Sequence, residues 1–130
     1  MKRERLFNAY KVILNAAEEY QAVLHQLSYV VEGETKETRD KRLNTTLQKA
    51  LVGVNDAMMT LMLEDVGADV KTIFGELRRA FYSYVMSLDT NAQYPNTFSY
   101  DDLEKDKQTV IGKVQELTQA MQVHLKALET

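Results

Sequence analysis

The sequence predicts an all-α fold: an up-down-up-down antiparallel four-helix bundle with heptad-type, left-handed packing and one long loop between helices 3 and 4. Three observations carry this. Apolar residues recur at alternating steps of three and four along most of the chain. Helix breakers are scarce, one proline and five glycines in 130 residues, too few for the many turns of an all-β protein. The repeats are of seven rather than eleven, the period that gives a left-handed supercoil with helices crossing at about 20°.

Helix 1 is expected over about 3–32, with Leu6, Tyr10, Ile13, Ala17, Tyr20, Leu24, Leu27 and Val31 facing inward. It ends in the segment 32–34, where Gly33 supplies the left-handed conformation that closes many helices. Thr35 caps helix 2, expected over 36–65, with Glu37 in its first turn and Leu43, Leu47, Ala50, Val54, Ala57 and Leu61 inward. A stop near Gly67 and an N-cap at Asp69 open helix 3, over 70–88, on Val70, Ile73, Leu77, Ala80, Tyr84 and Leu88.

From 89 to 99 the periodicity lapses into Asn, Thr, Ser and Pro95, which reads as the long loop. Ser99 and Asp102 form a capping-box pair that starts helix 4, over 100–129, with Leu103, Val110, Val114, Leu117, Met121 and Leu128 inward and Lys107 and His124 filling two gaps. Short connections make neighbouring helices antiparallel. On these boundaries helix 3 is the shortest, so Tyr94, Phe98 and Tyr100 are expected to plug the opening it leaves.

A chain of 130 residues with 45% apolar and 27% charged residues reads as one domain, 1–130, able to bury about two-thirds of its unfolded surface. The net charge of −3 provides no broad attraction to phosphate backbones or anionic lipid. Cysteine is absent, which removes disulfides, thiolate nucleophiles and cysteine-based zinc sites. The N-terminal segment imitates a secretory signal, but Asn8, Lys11 and Asn15 interrupt its apolar stretch, so no cleavage is expected. No run approaches the ~18 apolar residues of a membrane span, and the expected setting is cytoplasmic, without membrane contact.

Four-helix bundles can hold a di-iron site, which needs inward Glu-x-x-His pairs. Here Ala22 stands three residues before His25 and Met121 three before His124. The carboxylates Glu18, Glu19, Asp56, Glu76 and Glu116 fall off the inward register. No metal or cofactor is expected. His25 is placed at the surface, and His124 inward near a bundle end, hydrogen-bonded to a helix end or carboxylate. No nucleophile elbow, phosphate loop or inward carboxylate pair is present, so the chain is not expected to be an enzyme.

Basic residues gather at Lys2, Arg3 and Arg5, at Lys36, Arg39, Lys41 and Arg42, and at Arg78 and Arg79 beside Phe81, Tyr82 and Tyr84. These read as solvated faces with intramolecular pairing; weak nucleic-acid binding through Arg78 and Arg79 is a disfavoured alternative.

The functional clue is an apolar surplus. Helix 3 carries a second stripe at Phe74, Phe81, Val85 and Leu88, and helix 2 adds Leu51, Met58, Met59 and Met62. A bundle helix needs an apolar face of about 100°, and a wider one marks either a better-buried helix or one that meets a partner. The expected function is a non-catalytic protein–protein interaction module, an adaptor, assembly chaperone or inhibitor, whose partner is another protein or a second copy in a homodimer. It would act through a helical face or the 89–99 loop, with Tyr94, Phe98, Tyr100, Phe74, Phe81, Val85, Met59 and Met62 as candidate contact residues. The alternative is a small hydrophobic ligand beneath that loop, lined by Tyr29, Tyr94, Phe98 and Tyr100. Heptads arise from packing physics and identify no family.

Overall fold

The computed structural model describes residues 2–28 and 32–128, with the side chains of residues 2, 3, 28 and 92 left out of account. Four helices account for the regular structure: α1 (Lys2–Ser28), α2 (Lys36–Leu63), α3 (Ala68–Gln93) and α4 (Tyr100–Ala127). Among the described residues no strand is present, and α1 packs closely on α2 and α3 on α4, the all-α make-up of a four-helix bundle. The chain divides into two compact units, residues 1–66 and 67–130.

In the first unit the expected inward positions of α1 from Leu6 to Leu27 are all buried; Val31 lies outside the described residues. Ala9, Ala16 and Val23 join them, so α1 is covered over a wide face. α2 buries Ala50, Val54, Ala57 and Leu61 at steps of four and three. Small residues line the seam, and a Cβ added at Gly53 would stand 3.9 Å from Ala16 Cα, so the two backbones approach closely.

An ion pair at one end and a hydrogen bond at the other show that α1 and α2 run antiparallel. Arg5 near the start of α1 meets Glu64 just after α2 at 2.7 Å, and Arg42 in α2 donates from Nη1 to the Gln26 carbonyl at 3.2 Å. Gly33 takes φ +78° in the turn before Thr35, as expected, and Thr35 Oγ1 accepts from the Thr38 N–H at 3.2 Å. α2 stops at Leu63, not 65, because Glu64 turns extended and the Val66 N–H donates back to the Glu64 carbonyl at 3.0 Å.

In the second unit several expectations are corrected. The N-cap of α3 is Gly67, not Asp69; Asp69 lies in the first turn, where its charge favours the helix N-terminus. A Cβ at Gly67 would come within 3.2 Å of His124 Nδ1, so glycine makes room there for the α4 imidazole. The helix also does not end at 88 but continues to Gln93, which reduces the connection to 94–99.

That extension has a specific cause. The inward positions beyond Tyr84 are filled by Ser87 and Asn91, polar residues that interrupt the apolar pattern. Ser87 Oγ donates to the Ser83 carbonyl at 2.9 Å, so a buried hydroxyl is satisfied within the helix. Asn91 Nδ2 donates to the Phe98 carbonyl at 2.9 Å, and its Oδ1 accepts from the Phe98 N–H at 2.8 Å. At 26 residues α3 nearly matches the other helices, so the short helix on which the expected opening rested is not present.

The connection itself is a tight turn: Asn96 takes φ +68°, tolerated by asparagine, and Thr97 donates from its N–H and hydroxyl to the Tyr94 carbonyl. Ser99 and Asp102 form the expected capping box, with reciprocal bonds of 3.1 and 3.2 Å. Along α4, Val110, Val114, Leu117 and Met121 are buried, whereas Leu128, expected inward, is exposed past the helix end.

Candidate protein-docking surface

The apolar surplus of the two middle helices resolves in opposite directions. On α3, Val70, Phe74, Leu77, Phe81 and Tyr84 are buried, while Ile73 and Ala80, expected inward, are only half-buried. Phe74 and Phe81, 0% and 3% exposed, are thus core residues and are unavailable as surface contacts; Val85 is half-buried.

On α2 the surplus stays outside. Leu51, Val52, Met59, Met62 and Leu63 are exposed, Met62 by 77% and Leu63 by 69%. Each is displaced by one or two residues from the buried row of Ala50, Val54, Ala57 and Leu61, a rotation of about 100–200° at 3.6 residues per turn. The exposed row therefore forms its own stripe, with Asn55 at its middle and half-buried Met58 on its edge. Between residues 43 and 63 only Lys49 and Asp56 are charged, the depletion found at the centre of protein interfaces.

Beside this stripe a groove of about 290 Å³ runs between the start of α1 and the end of α2. Ala9 and Val12 form one wall, Met59 and Leu63 the other, and the Arg5–Glu64 pair closes one end. The stripe and groove together present apolar surface on the order of several hundred Å², the size of the largest apolar patch on an ordinary monomer. Val52, Leu63 and Val12 were not singled out from the sequence. The signal for the first two was available: both lie off the α2 core register within the nearly uncharged 43–63 segment.

The loop aromatics separate. Tyr94 and Tyr100 are exposed, while half-buried Phe98 is held by the Asn91 clamp. Tyr29 lies outside the described residues. A larger groove in the second unit, about 640 Å³, is lined by Val70, Ile73, Ala120 and Val123 with His124 and Asp69. It lies at the end of the α3–α4 hairpin opposite the 94–99 turn, so the turn does not cover it.

Several charged residues are engaged locally. Lys113 Nζ donates to Glu76 at 3.1 Å and to Glu116 at 3.0 Å, and those two bonds, Glu116 first, hold its pKa above the ordinary lysine value. Arg78 is half-buried with its guanidinium 6.0 Å over the Tyr82 ring; Arg79 is exposed. Among the described residues, no three His, Asp or Glu side chains come together in a geometry that holds a metal ion, and no helix is long and apolar enough to cross a membrane.

Tyr84 is buried, and its phenol pKa is raised, first by burial and then by the charges of Glu104 and Asp106. A folded-state pKa above the unfolded value of 10.0 means this contribution to stability is complete below pH 10 and lost as pH rises through the raised value. Tyr84→Phe is accordingly expected to delete a late step, above pH 10, from the phenolate absorbance titration and to make alkaline unfolding shallower. An unchanged titration would refute the assignment.

Comparison of the chain with protein-family models, with curated proteins and with solved structures finds no match.

Proposed function

We propose that this protein is a non-catalytic protein-binding module that works through the outer face of α2. The supporting observation is the exposed row Leu51, Val52, Met59, Met62 and Leu63 on a nearly uncharged segment. Leaving such side chains in water forgoes about 1.5–3 kcal/mol for each one that a partner would bury. Methionine suits the role because its flexible thioether adapts to another surface, and a helix face of this kind docks against a helix or groove of a partner. Phe74 and Phe81, being core, have no part in it. The proposed setting is the cytoplasm, where proteins do without disulfides, as a cysteine-free chain must.

Size-exclusion chromatography of extract from the native source tests this. Wild-type chain is expected to elute in a species larger than its own 14.9 kDa, and Val52→Glu/Met62→Glu to elute later with unchanged helicity. Identical elution of the two would overturn the reading.

A further inference from the structure

We propose that Met59 and Met62 form a reversible oxidation site, at which a hydroperoxide converts both thioethers to sulfoxides and switches off docking through the outer face of α2. This rests on the reading of that face as a docking surface and adds its regulation.

The chain has six methionines and no cysteine, so methionine thioethers are the only sulfur it offers to a two-electron oxidant. Access to that sulfur follows burial. Met62 and Met59 are 77% and 55% exposed and Met86 on α3 is exposed, whereas Met58 is half-buried and Met121 keeps 4% of its surface in water. Met59 and Met62 stand three residues apart, neighbours across one turn on the same face of α2. Met59 also lines the groove, beside Leu63 and opposite Ala9 and Val12.

The chemistry balances with hydrogen peroxide as oxidant. The thioether sulfur gives an electron pair to one peroxide oxygen, the S–O bond forms, the O–O bond breaks, and the second oxygen leaves with both protons as water. Sulfur loses two electrons and the peroxide gains them. Sulfoxide reductases, one for each sulfoxide epimer, reverse the change, removing the oxygen as water while a dithiol becomes a disulfide.

The fold accepts oxygen at these positions. α2 buries Ala50, Val54, Ala57 and Leu61, and α4 buries Val110, Val114, Leu117 and Met121 with the same spacing. On that register Met59 and Met62 correspond to Gln119 and Gln122 of α4, both exposed. Glutamine and methionine sulfoxide each carry an accepting oxygen on an unbranched stem, and glutamine matches methionine in helix propensity. Oxidation of the pair therefore leaves α2 folded and alters only its surface. A partner that covers such an oxygen without a hydrogen bond loses about tenfold or more in affinity for each one.

The test treats purified chain with hydrogen peroxide, quenches with catalase, and adds the tagged chain to desalted extract of the native source. Peptide mass spectrometry should find one added oxygen each on Met59, Met62 and Met86 before Met58 or Met121, with helicity unchanged. On size exclusion, untreated chain should run in the larger species and oxidised chain at its own 14.9 kDa. Repair by the two sulfoxide reductases with dithiothreitol should restore the larger species. Met59→Leu/Met62→Leu should stay in it after peroxide, Met86→Leu should not, and Met59→Gln/Met62→Gln should leave it without any peroxide.

Oxidised chain that still runs in the larger species would overturn the switch and leave the protein-binding reading standing. Loss of helicity on oxidation, failure of repair, or equal protection by Met86→Leu would also overturn it. Untreated chain that runs alone at 14.9 kDa would bring down both readings together.

Discussion

Phe74→Ala is expected to destabilise the chain by about 3–5 kcal/mol, the usual cost of deleting a fully buried phenylalanine with incomplete collapse of the cavity. Its side chain is completely covered, in the middle of an α3 face that also buries Val70, Leu77, Phe81 and Tyr84. The loss has two parts, the transfer free energy of the ring and the contacts forfeited by the atoms that lined it. At about 4 °C per kcal/mol for a chain of this size, the melting temperature should fall by roughly 10–20 °C. Differential scanning calorimetry reads it directly. A melting temperature within about 2 °C of wild type would show that Phe74 is not core and would return it to the surface stripe.

Arg42→Ala should cost about 2–3 kcal/mol, far more than an ordinary surface ion pair. Arg42 meets Glu34 through both ends of its fork, Nε to Oε2 at 3.0 Å and Nη2 to Oε1 at 3.1 Å, and its Nη1 also donates to the Gln26 carbonyl. One guanidinium thus ties the last turns of α1, the connection and the first turns of α2. Glu34 keeps only 9% of its side-chain surface in water, so removing its partner strands a carboxylate that solvent reaches poorly. Lysine at 42 restores the charge but not the planar fork, and should recover only part of the loss.

Arg5→Ala is the matched control. Its pair with Glu64 is shorter, at 2.7 Å, but the Arg5 side chain is 70% exposed, so the change should stay within about 0.5 kcal/mol. Urea denaturation of the three variants separates these outcomes. Equal effects of Arg5→Ala and Arg42→Ala would show that burial of Glu34 contributes nothing.

Much of this architecture was legible before any coordinates, because its causes are local. The Thr35 cap, the Ser99–Asp102 capping box and the left-handed Gly33 each involve groups within one helical turn. The unbroken row from Leu6 to Leu27 is a statement about period, which a helix converts directly into a face. Where apolar period and polar residues conflict, local reading fails. Ser87 and Asn91 occupy inward positions of α3, and only the Ser83 carbonyl and the Phe98 backbone show why the helix persists to Gln93.

The exposed α2 stripe was half legible. Met59 and Met62 were recognisable as surplus, but so were Phe74 and Phe81, on identical grounds of a too-wide apolar face. A sequence records that a side chain is apolar and on which side of its helix it falls. Whether another element covers that side depends on helices distant in the chain, and the fold buries the phenylalanines of α3 while leaving Leu51, Val52, Met59, Met62 and Leu63 in water. The sequence by itself therefore determined the number of helices, the N-caps of α2 and α4 and most of the inward residues, all consequences of periodicity and hydrogen bonding within a turn. Only the tertiary structure decided which of two equally apolar faces is core and which remains exposed, because burial is a property of neighbours rather than of the residue.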